Sequence, residues 1–355
     1  MTREEKRLIL IFKRNLGECS RIDIDLFVKS ILISGKASYL SSNVVEVEGF
    51  INEEELDDLA FLSTTLKDIV SVISVRDVSE CLELFQADSS KRPQLADRNH
   101  GIKILVLGGN KENVISPIQL ECIMEKFSRG DFTRDKIYPA GRKNYLILSL
   151  PEKKAYLGVL VRTVRRDRLI YRSPEKRAFA QFSALNPKTA LFLVNLSTRL
   201  RSEKTPGTLL DPFCGSGGIL IEAALMGYYT VGLEIYYKPI RGARRNIIQY
   251  GLYENVDLVL TDAVLSPFRE KSFDAIVFDP PYGRLAPVKS CSSPNPLPIF
   301  IGKVRFLLKS GGTCVFLYPS NEENERITSL GFKEACRIFE HSTLTRSVWC
   351  FKNER

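Results

Sequence analysis

From residue 190 to the end of the chain, short apolar runs rich in β-branched and aromatic residues alternate with longer amphipathic runs. The strand-like runs are TLLDPF, TVGLEI, VDLVLTD, FDAIVFD and GTCVFLYP. Between and after them come the helix-like runs GILIEAALMG, KPIRGARRNIIQYG, LPIFIGKVRFLLKSG and EENERITSLG. Strands that alternate with helices form a parallel sheet covered on both faces, because each crossover must carry the chain back to the sheet's starting edge. The last two strand-like runs, FKEACRIFEH and TRSVWCFKN, have no helix between them and should pair antiparallel. The expected fold class is therefore α/β: a doubly wound, mostly parallel sheet with an antiparallel edge.

Open α/β sheets bind ligands at the carboxyl ends of their strands. Acids occupy three successive ends here, Asp211, Glu234 and Asp262. Gly215, Gly217 and Gly218 follow the first of them and allow a close backbone approach to a ligand. The loop is neither GxGxxG nor a phosphate loop, since no Gly-Lys-Ser/Thr follows. An acid before it repels phosphate and suits a cation. Glu234, 23 residues after Asp211, is placed to bind ribose hydroxyls. A ribose, an adenine-like ring and a positive charge describe S-adenosylmethionine.

The fourth strand runs into FDPPYG, residues 278–283. Pro280 and Pro281 cannot donate to a ladder and end it, leaving Asp279 at the ligand edge. The stretch RLAPVKSCSSPNPLP, 284–298, reads as a loop beside the site that closes over the substrate.

Upstream, residues 1–90 alternate strand-like and helix-like runs in an α+β pattern. RIDIDLFVKSILISG reads as a helix ending at Gly35, and INEEELDDLAFLSTTL as a second helix with acids in its first turn. The polar, turn-rich stretch 86–101 reads as a linker. A second α+β run follows. Residues 101–200 hold 19 Lys/Arg against 8 Asp/Glu, whereas residues 1–100 hold 13 against 18. A localised basic excess within a net charge of +9 points to a polyanion, most often nucleic acid. No run of apolar residues is long enough to span a membrane. The eight cysteines show no CxxC pair and the chain has two histidines, so no metal site is expected, and the cysteines are expected reduced in a cytoplasmic protein.

DPFCGSGG, GLEI with GARRNIIQYG, TDA and DPPYG together resemble the Rossmann-type class I methyltransferases that modify exocyclic amines of bases. RSPEKRAFAQFSALNPKTALFLVNLS ahead of LLDPFCGSGGILIEAALMG resembles, more closely, the archaeal tRNA guanine-N2 methyltransferases acting on guanosine 10. The resemblance covers roughly residues 155–320. It departs at Arg177-Ala178-Phe179-Ala180, where the family carries an Arg-Pro-Phe-Phe-like stretch, and at Tyr236-Tyr237, where it carries Asp-Pro after the ribose acid.

The resemblance implies a ferredoxin-like α+β domain over 1–90, a THUMP RNA-binding domain over 91–168, a linker over 169–184 and the methyltransferase domain over 185–355. It implies that Asp211, Phe213, Cys214, Gly215, Ser216, Gly217, Gly218, Glu234, Asp262, Ala263 and Asp279 contact the cofactor, with Pro187 and Phe182 secondary. It implies that Asp279, Pro280, Pro281 and Tyr282 form the catalytic motif, with Tyr282 stacked on the base. The expected substrate is tRNA, gaining one or two methyl groups at N2, and the expected enzyme is a monomer that works alone or with a small activating subunit. DPPY chemistry serves a tRNA guanosine at another position, guanine in ribosomal RNA or adenine N6 in DNA equally well. An RNA-binding protein that keeps the cofactor fold as a scaffold is the reading outside catalysis.

Overall fold

The structure is a computed structural model and describes residues 6–13, 16–51, 63–83, 102–107, 119, 122–123, 125–126, 144–164, 167–181, 184–201, 206–281, 296–319, 324–341 and 344–354. The chain divides into two compact units. The first takes residues 1–13, 28–57 and 66–164, and the second takes 14–27, 58–65 and 165–355.

The first unit holds β1 (Lys6–Phe12), β2 (Leu32–Ser41), β3 (Val44–Ile51), β4 (Leu66–Asp77), β5 (Ile102–Leu107), β6 (Asn144–Ser149) and β7 (Lys154–Thr163) in one seven-stranded sheet of order β2-β3-β1-β4-β7-β6-β5. Every neighbouring pair is antiparallel except β5 and β6. β4 and β7 pair along most of their length, so the ladder crosses the boundary expected near residue 90. Ile9, Ile11, Val44, Val70, Tyr145, Ile147 and Tyr156 form one buried cluster of this unit. Within it, Tyr145 donates to Asp68 Oδ2 at 2.8 Å, and Thr163 Oγ1 donates to Asp68 Oδ1 at 2.8 Å, which compensates the buried carboxylate.

Two expectations for this part change. Helix α1 (Cys19–Ile31) stops four residues before Gly35, and Leu32 already begins β2. Gly35 does not end a helix. It faces Gly49 across the β2–β3 ladder at φ +132°, where a Cβ on either residue would collide with the other backbone. The cysteines are not all reduced either. Cys81 of α2 (Ser79–Glu83) is joined to Cys122, and Cys19 to Cys336, with Cα separations of 5.8 and 5.4 Å. The partners lie 41 and 317 residues apart, so no local spacing announces them. Most of the helix expected from INEEELDDLAFLSTTL and all of the linker 86–101 lie outside the described residues, while Ile51 ends β3 and Leu66 begins β4.

The second unit carries the α/β alternation: α3 (Asp167–Tyr171), α4 (Pro187–Leu200), β8 (Thr208–Asp211), α5 (Gly218–Leu225), β9 (Tyr229–Glu234), α6 (Tyr237–Gln249), β10 (Val256–Leu260), β11 (Phe273–Phe278), α7 (Pro296–Leu307), β12 (Leu308–Pro319), α8 (Asn324–Ser329), β13 (Lys333–His341) and β14 (Leu344–Lys352). The sheet order is β10-β9-β8-β11-β12-β14-β13. The first five strands are parallel, and β14 and β13 form the antiparallel edge. Period-two alternation divides the core between the faces. Ala275, Val277, Val315 and Leu317 face a cluster containing Phe192, Leu193, Ile219 and Tyr228. Ile276, Phe278, Cys314 and Phe316 face a second cluster containing Phe300, Phe332 and Trp349. Phe278 and Phe316 stack with centroids 4.8 Å apart, which locks β11 against β12 next to the acid that follows Phe278. β9 and β10 lie on one side of β8, and β11 lies on the other, so the order reverses between β8 and β11. A crevice opens outside the strand ends at such a reversal.

Candidate active site

Asp211 ends β8 and Asp279 directly follows β11, so the reversal brings these two acids together across adjacent strands. Glu234 ends β9, and Asp262 lies two residues past β10. Thr261 N donates to Glu234 O at 3.0 Å, tying the last two strand ends.

The loop between β8 and α5 is shaped by its glycines. Gly215 has φ +51° and Gly217, the residue that caps α5, has φ +84°, a left-handed backbone that other L residues adopt at a cost. Glu234 holds the turn from the neighbouring strand: its Oε2 accepts from Gly215 N at 3.1 Å and its Oε1 from Tyr236 N at 2.9 Å. Cys214 N donates to Leu233 O at 2.9 Å, so the loop is pinned twice to β9. Ser216 and Cys214 are buried, and burial pushes the Cys214 thiol up, leaving it an uncharged wall group. Phe213 packs its ring against Phe278 and Phe300 at 5.6 and 5.7 Å. Asp262 caps a turn of 3₁₀ helix through Val264 N at 2.9 Å, and Ala263 is buried in the second core cluster.

The segment before α4 closes toward the same loop. Gln181 Oε1 stands 3.7 Å, and the Leu185 carbonyl 3.8 Å, from where a Cβ on Gly215 and Gly218 respectively would lie. Pro187 is the buried first residue of α4, two positions beyond Leu185. Phe182 and Tyr282 lie outside the described residues, as does nearly all of the loop 284–298.

Four residues that sequence reasoning passed over organise this region. Asn246 on α6 is fully buried. Its Nδ2 donates to Phe179 O at 3.1 Å and Ser216 O at 3.0 Å, and its Oδ1 accepts from Phe179 N at 2.7 Å. It joins the basic segment, α6 and the glycine loop with one amide. The only sequence signal is a polar residue on the inward stripe of an amphipathic helix. Arg172 forms a bidentate pair with the buried Glu222 of α5, Nε and Nη2 each 2.8 Å from a carboxylate oxygen. Arg346 of β14, the fourth, donates from Nη1 to Asp279 Oδ2 at 2.9 Å and pairs through Nη2 with Glu340.

The electrostatics are those of an anionic, water-poor crevice. Burial pushes the Asp211 carboxyl well above the ordinary range, and the charges of Asp279 and Glu234 push it further. Burial raises Glu234, with its backbone donors pulling back. Burial pushes Asp279 up to about 6, Arg346 restrains it, and Glu340 adds to the rise. Asp279 Oδ1 is buried without a hydrogen-bond partner among the described residues, a state that costs free energy unless a ligand donor meets it. S-adenosylmethionine, the methyl donor implied by a methyltransferase fold, fits this set. Its cationic sulfonium and ammonium would relieve the repulsion that Asp211 meets from its neighbouring acids, and its adenosine hydroxyls suit carboxylate acceptors.

Known proteins similar to this chain are methyltransferases. Residues 174–335 match the family described as RMKL-like, methyltransferase domain. The tRNA (guanine(10)-N2)-dimethyltransferase of Methanothermobacter thermautotrophicus is 36% identical over 177 residues, 49% of this chain and 51% of the relative. A protein of Methanothermococcus thermolithotrophicus named "Probable tRNA (guanine(10)-N2)-dimethyltransferase" is 32% identical over 171 residues, which covers 46% of this chain and 98% of the relative. The crystal structure of TrmN from Thermus thermophilus shares the fold, with a TM-score of 0.51 at 17% identity over 98% of this chain and 99% of that one. The chain spans about half the length, or less, of the first curated relatives it matches, at 51%, 38% and 52%. The acid-ended strands around the glycine loop, the DPPYG run and a likeness running through nearly the whole of the Methanothermococcus relative place this chain in the family of the tRNA (guanine(10)-N2)-dimethyltransferases.

Proposed function

We propose that the protein transfers methyl groups from S-adenosylmethionine to the exocyclic N2 of guanosine 10 in tRNA. The observation that carries this reading is Asp279: a carboxylate at the strand-order reversal, beside Asp211, with one oxygen ion-paired and the other unmet. Asp211, Glu234, Asp262 and the loop 213–218 hold the donor, with Ala263 and Pro187 at its margins. Residues 1–90 and 91–168 serve as the ferredoxin-like and THUMP domains that grip the tRNA by shape and phosphate, residues 169–184 link them to the catalytic domain, and residues 185–355 select one base.

A base amine is a weak nucleophile because its lone pair is delocalised into the ring. When bound, S-adenosylmethionine supplies the methyl group, and the nitrogen that gains it must give up one proton. Asp279 Oδ1 accepts one amine hydrogen and the Pro280 carbonyl accepts the other, which turns the lone pair out of the ring plane. Pro280 and Pro281 hold those acceptors rigid, so little order has to be gained on binding; positioning of this kind supplies about 7–11 kcal/mol in favourable cases. Asp279 Oδ1 then takes the departing proton. Tyr282, next in the chain, stacks on the extruded base at about 1–3 kcal/mol. The enzyme acts as a monomer or with a small activating subunit, in the cytoplasm.

The ionised form of Asp279 is the working one. Its carboxyl is held up to about 6, so the transfer rate should be flat at alkaline pH and fall as pH drops through about 6. The fall is absent if Asp279 takes no part. Mass spectrometry of nucleosides from undermodified tRNA incubated with the protein and S-adenosylmethionine tests the function itself. N2-methylguanosine or N2,N2-dimethylguanosine should accumulate, and methylated adenosine in their place would assign the DPPY chemistry to another base.

A further inference from the structure

Arg346 reaches Asp279 by topology and not by sequence proximity. β14 runs antiparallel to β12 and pairs Arg346 with Pro319, the last residue of that strand. The start of β14 therefore lies at the edge where the parallel strands end. The same register places Arg346 opposite Ile338 of β13, and Glu340 follows two residues later at that edge. Arg346 is 6% exposed. A guanidinium taken so far from water must be paired, and this one divides its two terminal nitrogens between two acids. A planar fork with fixed donors sets the direction of each carboxylate it holds, which an ammonium on a flexible stem does not.

The charged groups that act on Asp279 are Arg346 and Glu340 on the antiparallel edge, and Asp211 at the end of β8 shares a repulsion with it. Arg346 is the cation among the groups that act on Asp279, and the trio Asp279, Arg346 and Glu340 keeps a net single negative charge. That balance leaves Asp279 anionic enough to receive a proton, yet not so exposed to repulsion from Asp211 that it stays protonated.

We propose that Arg346, anchored by Glu340, is the positioning residue for Asp279: it holds Oδ2, fixes the carboxylate's orientation and leaves Oδ1 as the acceptor for the substrate amine. The proposal rests on the reading of Asp279 as that acceptor. It gives the antiparallel edge of the sheet a part in catalysis, at residues 61 and 67 positions beyond Asp279, which extends the active site past the DPPYG run.

The test measures methyl-transfer rate against pH for Arg346→Gln, Arg346→Lys and Glu340→Gln, with S-adenosylhomocysteine binding by calorimetry to show that each variant folds. Removing the positive charge in Arg346→Gln should move the acid limb up by about one pH unit or more. Arg346→Lys, which keeps the charge and loses the fork, should return the limb close to its original place while the plateau rate stays lowered. Glu340→Gln removes an acid that raises Asp279 and should move the limb down. A merely structural role for Arg346 would lower the rate equally at all pH values and leave the limb where it was, and that result overturns the proposal. If Arg346→Gln does not fold, an unmoved or raised limb in Glu340→Gln overturns it as well. Asp279→Asn separates the two levels. Full transfer in that variant removes the acceptor reading itself, whereas its loss together with an unmoved limb in Arg346→Gln removes this inference alone.

Discussion

Asp279→Asn should abolish nearly all methyl transfer, by about 10²–10⁴-fold, while leaving S-adenosylhomocysteine affinity and tRNA binding close to those of the parent. The replacement keeps the shape, so Phe278 and Phe316 still lock β11 to β12 and the buried site does not open a cavity. The amide cannot take a proton, and it presents Arg346 with a neutral oxygen where a carboxylate stood. The loss should therefore sit in kcat and not in KM, because the interaction removed is one that strengthens as the amine gives up its proton. Single-turnover transfer with saturating tRNA measures it directly. A variant with parental kcat would mean that the proton leaves by another route. Equal losses in kcat and in cofactor binding would mean that Asp279 holds the donor and not the base.

The second large effect is on stability. Glu222→Leu should cost about 3–5 kcal/mol, since it strands the Arg172 guanidinium in a buried position. For a cooperative unit of this size that is a fall of roughly 10 °C in melting midpoint. Arg172→Leu combined with Glu222→Leu should recover most of the loss, because two apolar side chains replace the pair without leaving an unpaired charge. The contrast between single and double replacement, measured by thermal or urea unfolding, distinguishes a buried ion pair from ordinary packing loss. Glu222 lies one turn into α5, directly behind the glycine loop, so the single variant should also loosen cofactor binding.

How much of this was legible follows from where each signal lies in the chain. The β/α alternation could be read because parallel strands are buried on both faces and appear as near-continuous apolar runs. All seven strands of the second unit, and the helices that connect β8 through β12, occur where those runs occur. Asp211, Glu234, Asp262 and Asp279 could be placed because each ends such a run, and strand ends are where α/β ligands bind. Arg346 could not. It is one of 51 Lys and Arg residues, and only the antiparallel return of β14 carries it back to Asp279 across 67 positions. Asn246 and the Arg172–Glu222 pair are hidden for the same reason: the bonds join residues 30 to 67 positions apart, and no local pattern encodes their meeting. Gly35 misled in an instructive way. A glycine after an amphipathic run is a stop signal for helices, but ladder pairing with Gly49 took the preceding residues into β2.

Transfer to one atom of one base is tested most directly by a radiolabel experiment. Methyl transfer from labelled S-adenosylmethionine is followed on an unmodified tRNA transcript and on the same transcript with guanosine 10 replaced, and the product nucleosides are separated. Label is expected in N2-methylated guanosine from the first transcript and none from the second. Equal labelling of both transcripts, or label in any nucleoside other than guanosine, would contradict transfer to N2 of guanosine 10.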